Sequence, residues 1–219
     1  MKKMLVVLMG VFMLSGCATY YPVHINGYLE PDYIAKPFAK SASFFVMPQL
    51  GAANQIFESQ IKSKIERLLQ QAGYQVSAQE DADYFINYSY SLGPGKTVME
   101  ERPIYEPGDT EPVYTYRAKG KTRVSYVTYP GYTSYVPYWH KVYTASLFLE
   151  VLDAAPMRND NTRHQVWIGE AHTVLSQPDL REALDYLLSG IFEYFGTDTG
   201  RSVTVNIGKE NPLVKDLES

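Results

Sequence analysis

The side chains able to do covalent or metal chemistry are few, and their spacing limits what they can do. Cys17 is the only cysteine of the chain. It follows Leu14-Ser15-Gly16, with Lys2 and Lys3 at the start and an apolar run from Met4 to Leu14 between. A short basic start, an apolar middle and small residues before a cleavage point form an export signal. The run is too short for a bilayer span, which needs about 20 apolar residues. With one thiol the fold must hold without an internal disulfide, even in an oxidising compartment. His164, Glu170 and His172 are possible metal ligands, and Glu170 and His172 share a strand face. No third ligand stands at a characteristic spacing, so these read as polar residues on a solvated face. Glu100-Glu101 and Glu80-Asp81-Asp83 offer paired acids, but a catalytic pair needs a fixed separation across a cleft. Gly95-Lys96-Thr97 and Gly120-Lys121-Thr122 end like a phosphate loop. Tyr90 and Thr115 stand where its first glycine belongs, and β-type sequence adjoins both, which excludes a P-loop. No G-x-S-x-G surrounds any serine.

Leu14-Ser15-Gly16-Cys17 resembles the lipobox of bacterial lipoproteins. The resemblance implies that the Cys17 thiol takes a diacylglycerol, that the signal is cut before it, and that the new amine is acylated. Residues 1–16 are then a signal peptide, and the mature chain hangs from a membrane by Cys17. Ala18 follows the cysteine, where an Asp would favour retention at the inner membrane. In a Gram-negative envelope the expected location is therefore the periplasmic face of the outer membrane.

Loss of the signal removes two lysines and no acid, taking the net charge from −4 to −6. That balance gives no support for nucleic-acid binding. About 200 residues remain, enough for one core, and the apolar fraction is ordinary for a globular protein. The unusual feature is tyrosine, of which there are 19, crowded between Tyr105 and Tyr143.

Tyr129, Tyr132, Tyr135, Tyr138 and Trp139 fall within eleven residues. Their apolar bodies and polar tips suit an interface or stacking on a sugar ring. Pro130, Gly131 and Pro137 argue against regular strand there, so the segment reads either as an interaction loop or as a satellite of the core packing. Tyr126 and Tyr143 read as strand packing, since tyrosine is a good β residue.

The elements around this segment follow from periodicity. Residues 17–42, interrupted by Pro22, Gly27, Pro31 and Pro37, read as the lipidated N-terminus and a tether. Ser43–Gln49 reads as a buried first strand. Ile56, Phe57, Ile61, Ile65, Leu68, Leu69 and Ala72 form one helical stripe, with Asn54 as its cap and Gly73 as its stop. Ala82–Leu92 alternates as a half-buried strand. Val98–Pro112 reads as an acidic, proline-rich loop, and Val113–Arg117 with Thr122–Tyr129 as strand, turn, strand. Val142–Asp153 and Gln165–Leu175 read as strands joined by a polar turn, Met157–His164. Leu180, Ala183, Leu184, Leu187, Leu188, Ile191, Phe192 and Phe195 form the second helical stripe, opened by Pro178 with Ser176 or Gln177 as cap. Ser202–Ile207 reads as an edge strand, and residues 209–219 as a flexible tail. Two one-sided helices need a surface to cover. The expected fold is α+β: a two-layer sandwich, mostly antiparallel sheet with two amphipathic helices packed on one face, forming a single domain over 43–208.

The order of these pieces resembles the bacterial lipoproteins grouped as domain of unknown function 4136. The resemblance rests on Gln71-Ala72-Gly73-Tyr74, Asp81-Ala82-Asp83 leading to Asn87-Tyr88, the Tyr/Gly-rich connection, Leu147–Asp153, and Gln165-Val166-Trp167-Ile168-Gly169. The Met157–His164 insert and the longer acidic loop near Glu100 depart from the family pattern. The resemblance implies an envelope lipoprotein and supplies no catalytic residue. The expected function is a non-catalytic interaction or structural role without a cofactor. The membrane would be held by the lipid, and an envelope protein or peptidoglycan would be the partner. The alternative is a cell-wall glycan-binding protein or hydrolase.

Overall fold

The computed structural model describes residues 20–34, 38–49, 51–117 and 121–218. The signal 1–16 and the lipidation site Cys17 lie outside them. The chain is a mixed α/β structure with one large sheet and several helices. It divides into two compact units, one holding the residues up to Pro94 and from Tyr143 on, the other Gly95–Val142. The domain expected over 43–208 takes in parts of both units.

The strands in chain order are β1 (Tyr20–Leu29), β2 (Ser43–Val46), β3 (Gln75–Val76), β4 (Tyr84–Leu92), β5 (Lys96–Glu106), β6 (Thr110–Arg117), β7 (Lys121–Thr128), β8 (Tyr132–Asp153), β9 (Gln165–Leu175) and β10 (Val203–Gly208). The described helices are α1 (Pro31–Ile34), α2 (Gln55–Gln71), α3 (Ala154–Asp160), α4 (Leu180–Glu193) and α5 (Pro212–Glu218), so five replace the expected two. In the first unit the sheet order is β10-β1-β9-β8-β4-β2-β3. All pairs in that order are antiparallel except those of β2 with β3 and β4, which are parallel.

Both long helices form where their apolar stripes stand. Asn54 Oδ1 accepts the Phe57 amide at 3.0 Å, and Gly73 leaves the helix at φ +88°, a conformation that only glycine adopts without strain. Ile61, Ile65, Leu68 and Leu69 of α2 are buried, but Ile56 is 75% exposed and drops out of the stripe. The cap of α4 is Asp179, whose Oδ1 accepts the Glu182 amide at 3.1 Å, in place of Ser176 or Gln177. Leu184, Leu187, Leu188 and Ile191 of α4 share one buried cluster with α2 and with sheet residues Val23, Ile25, Ile86, Leu147, Leu149, Val151 and Trp167.

Several expectations are corrected. The tether over 17–42 contains β1, a strand with β10 on one side and β9 on the other. Pro22 and Gly27 mask an alternation in which Val23 and Ile25 are buried while His24 and Asn26 are half-buried. The tail 209–219 contains α5, whose Val214 and Leu217 enter the core. The polar turn before His164 contains α3, capped by Asp153 and ended by Asn161 at φ 58°. The proline-rich loop over Val98–Pro112 and the aromatic connection are strands β5, β6 and β8, for reasons given below. The edge strand at the C-terminal end is present as β10.

Candidate functional site

The second unit is an antiparallel ribbon. β5 pairs with the first part of β8 from Lys96 opposite Val142 to Glu106 opposite Tyr132. β6 pairs with β7 from Thr110 opposite Thr128 to Arg117 opposite Lys121. Proline lacks an amide proton and is tolerated on a strand with a free edge. In these ladders Pro103 lies opposite Tyr135, and Pro137 opposite Glu101. Two-stranded pairing gives every strand a free edge, so the prolines that argued for a loop are accommodated.

Register divides the five sequence-predicted contact residues between faces. Tyr132 and Tyr138 share one face with Glu100, Arg102, Glu106 and His140. Most polar groups on that face have partners on it, although His140 Nδ1 is buried without a hydrogen bond. The Arg102 guanidinium lies 4.2 Å from the Tyr138 ring centre, and Tyr138 stacks on His140 at 5.3 Å. His140 Nε2 is 3.6 Å from Glu100 Oε1. The Tyr132 hydroxyl donates to Glu106 Oε2 at 2.6 Å, which raises its pKa above the ordinary tyrosine value. The opposite face carries Met99, Glu101, Pro103, Tyr105, Tyr135, Pro137 and Trp139. Tyr105, Tyr135 and Trp139 are 66%, 65% and 64% exposed. Their side chains and that of Met99 make no hydrogen bond, ring stacking or ion contact with the described residues. Tyr129, in the break between the two ladders, is also exposed, and its amide donates to Asp109 O at 2.8 Å.

The first unit places the polar residues on its strands in rows. Lateral partners in a sheet point to the same side. One row runs Thr204, His24, His172, Ser146, Ser91, and the next Asn26, Glu170, Phe148, Ser89. His24 and His172 stack at 4.9 Å, and His24 Nδ1 lies 2.9 Å from Thr204 Oγ1. Burial, then the neighbouring His24, lowers the pKa of His172, although Glu170 opposes this. His164 stands apart, with Nε2 3.0 Å from Glu30 Oε2. The three possible metal ligands are therefore not brought together. Among the described residues no group of three or more His, Cys, Asp or Glu gathers in a way that would hold a metal ion. His24 is the residue that sequence reading missed, because only strand register links it to His172.

Two buried carboxylates have structural partners. Glu58 accepts the Tyr88 hydroxyl at 3.1 Å and also that of Tyr90. Burial, then Glu58, raises both hydroxyl pKa values, that of Tyr90 to about 12, so both stay protonated at neutral pH. Glu150 accepts from Asn87 at 3.1 Å and from Arg163 and Gln165. Both carboxylates are satisfied, as burial requires. Glu80-Asp81-Asp83 forms no acid pair across a cleft, since Asp83 Oδ2 accepts from Ser43 N at 2.9 Å and Ser43 Oγ at 2.8 Å. Gly120 of the second GKT triplet lies outside the described residues, and Lys96 and Thr97 begin β5.

The large sheet, the order of the strands and long helices, and the Tyr/Gly-rich segment between β4 and the end of β8 place the chain among α/β proteins of one defined family. The chain belongs to the family described as Domain of unknown function (DUF4136), whose model matches residues 30–195. Among solved structures it is similar to a PDZ domain protein from Parabacteroides distasonis ATCC 8503. The identity is 17%, covering 94% of this chain and 43% of that one, with a TM-score of 0.46. It is also similar to the PelC dodecamer from Paraburkholderia phytofirmans, at 10% identity over 81% of this chain and 99% of that one, with a TM-score of 0.41. Comparison with the curated proteins finds no match. No helix among the described residues is long and apolar enough to cross a membrane.

Proposed function

We propose that the protein is a lipid-anchored envelope lipoprotein with a non-catalytic interaction role, held at the periplasmic face of the outer membrane. The observation that carries the interaction role is the ribbon face of Met99, Tyr105, Tyr135 and Trp139. Large aromatic side chains without internal partners are the residue types that dominate interface hot spots. The opposite ribbon face, with Tyr132 and Tyr138, differs in kind, because its charges and rings are already matched to one another.

The reading is tested by replacing Tyr135 and Trp139 with Ser together and crosslinking in intact envelopes. Both side chains are well exposed, so the melting temperature should stay within a few degrees of wild type. Capture of the partner should fall by more than about tenfold, since one hot-spot truncation costs about 2 kcal/mol or more. A Tyr132→Ser, Tyr138→Ser variant should retain capture. Unfolding of the first variant, or undiminished capture by it, would show that these rings serve packing.

The anchor rests on Cys17 and the segment before it. Each buried CH₂ of an acyl chain contributes about 0.8 kcal/mol, and two or more chains hold a protein stably at a membrane. Cys17→Ser should leave the signal uncleaved by the lipoprotein-specific peptidase. Normal processing with unchanged membrane fractionation would remove Cys17 as the anchor.

The layering follows the same reading. Tyr90, which touches Phe57 of α2 at 5.5 Å, lies in one lateral row with Leu147, Ala171 and Ile25. Ile25 shares its side of β1 with Tyr21, which touches Tyr186 of α4 at 4.3 Å. The two long helices therefore form one layer on one side of the sheet, and the row of His24 and His172 faces the other side.

A further inference from the structure

We infer that the side of the sheet bearing Phe148 is a binding site for a neutral saccharide, independent of the ribbon. A cavity of about 290 Å³ lies over β4, β8 and β9. That is close to the lower bound of roughly 300 Å³ for small-molecule sites, and suits one or two sugar rings better than a large ligand. Phe148 is half-buried in it, with Glu170 and Ser89 as cross-strand neighbours. Lateral neighbours of this kind lie about 5 Å apart, so polar groups flank the ring on both sides. Ser91, Ser146 and His172 form the adjoining row.

The polar groups define the ligand. The side chains of Ser89, Ser91, Ser146, Glu170 and His172 make no hydrogen bond to any described residue. The buried carboxylates Glu58 of α2 and Glu150 of β8 behave differently, because they are held by two and three donors. The five groups comprise three hydroxyls, one carboxylate and one imidazole. His172 is biased to its neutral form by burial and by His24, so its ring offers one donor and one acceptor. No Lys or Arg lines the cavity, so a phosphate or carboxylate ligand would meet Glu170 without a countercharge. A purely apolar ligand would strip water from five polar groups and return no hydrogen bond. A pyranose ring supplies both requirements. Its C–H face stacks on Phe148, and its hydroxyls donate to Glu170 and exchange hydrogen bonds with the serines and His172.

The test is an NMR titration of the full-length, detergent-solubilised protein with cellobiose, chitobiose and maltose in turn. At least one disaccharide should produce saturable amide shifts centred on Ser89–Ser91, Ser146–Phe148 and Glu170–His172. Phe148→Ala should weaken that binding by at least about tenfold. Should Phe148→Ala fail to fold, Ser91→Ala with Ser146→Ala removes two hydroxyls without opening the core, and should weaken binding several-fold. The Tyr135→Ser, Trp139→Ser ribbon variant should bind as wild type does. The inference is overturned by the absence of saturable shifts with all three sugars, by undiminished affinity in the folded Phe148→Ala or double-serine variant, or by shifts confined to the ribbon.

Discussion

Leu187→Asp is expected to prevent folding. Leu187 is fully buried on α4 in the cluster that joins both long helices to the sheet. Truncating a buried leucine to alanine alone costs about 2–5 kcal/mol. Aspartate adds a charge that must be neutralised or left without a partner in an apolar site. Lys64, the cation that reaches α4 from α2, already pairs with Asp185. Burial nevertheless keeps the Asp185 carboxyl above its ordinary pKa, which shows how poorly this helix interface supports even a partnered acid. Typical domains have only about 5–15 kcal/mol of total stability. The variant should show little soluble protein and no cooperative melt by circular dichroism. Ile56→Asp is the control: Ile56 is exposed at the start of α2, so its melting temperature should barely move, surface changes usually lying within about 0.5 kcal/mol. A wild-type melt for Leu187→Asp would mean that α4 is not a core helix.

The two helices were legible because a 3.6-residue period records which side is buried, and because Asn54 and Gly73 are local devices that act on their own backbone. The first error inside a legible element was Ile56, which is apolar but stands about 140° around the helix from Ile61 and so faces solvent, while its neighbours Phe57 and Glu58 already meet β4. β1 was misread because Pro22 and Gly27 signal breaks. Pro22 is paired with Asn206 on β10 and lies beyond the pairing with β9, which starts at His24, so it need not interrupt the central ladder. The ribbon was misread for a different reason. A strand with both faces wet has no need to alternate apolar with polar residues, so β5 has no burial signature to detect, and its prolines carry the only visible signal. The five aromatic residues could be found by composition, but their division between two faces depends on a register set by the partner strand. The row of His24, His172, Ser146 and Ser91 depends on register between strands far apart in the chain, and no local pattern contains that information.

Trp167 and Gly169 should behave as one packing unit, and this is the second large effect expected. They are two residues apart on β9, so their side chains point the same way. Trp167 is fully buried, its Nε1 donates to Thr197 O at 2.9 Å, and its ring meets Phe195 at 5.0 Å. The indole lies across Gly169: a Cβ there would sit 2.3 Å from Trp167 Cη2 and 2.9 Å from Cζ2 and Cζ3. The hydrogen bond and the buried surroundings leave the ring little room to move aside. Trp167→Ala should cost about 3–5 kcal/mol through the cavity it opens. Gly169→Ala should cost about 1–3 kcal/mol through overpacking, although alanine removes unfolded-state freedom and would otherwise be favourable. The decisive measurement is the double variant. With the indole gone, the alanine at 169 meets no ring, so it should add no cost and should recover part of the stability lost by Trp167→Ala. Denaturant unfolding of the four proteins gives the coupling directly, and residues in contact typically show about 0.5–3 kcal/mol of non-additivity. Additive losses would show that the ring and the glycine are independent. The W-x-G pattern of the Gln165–Gly169 segment would then need a cause other than the close approach of the indole to the bare backbone.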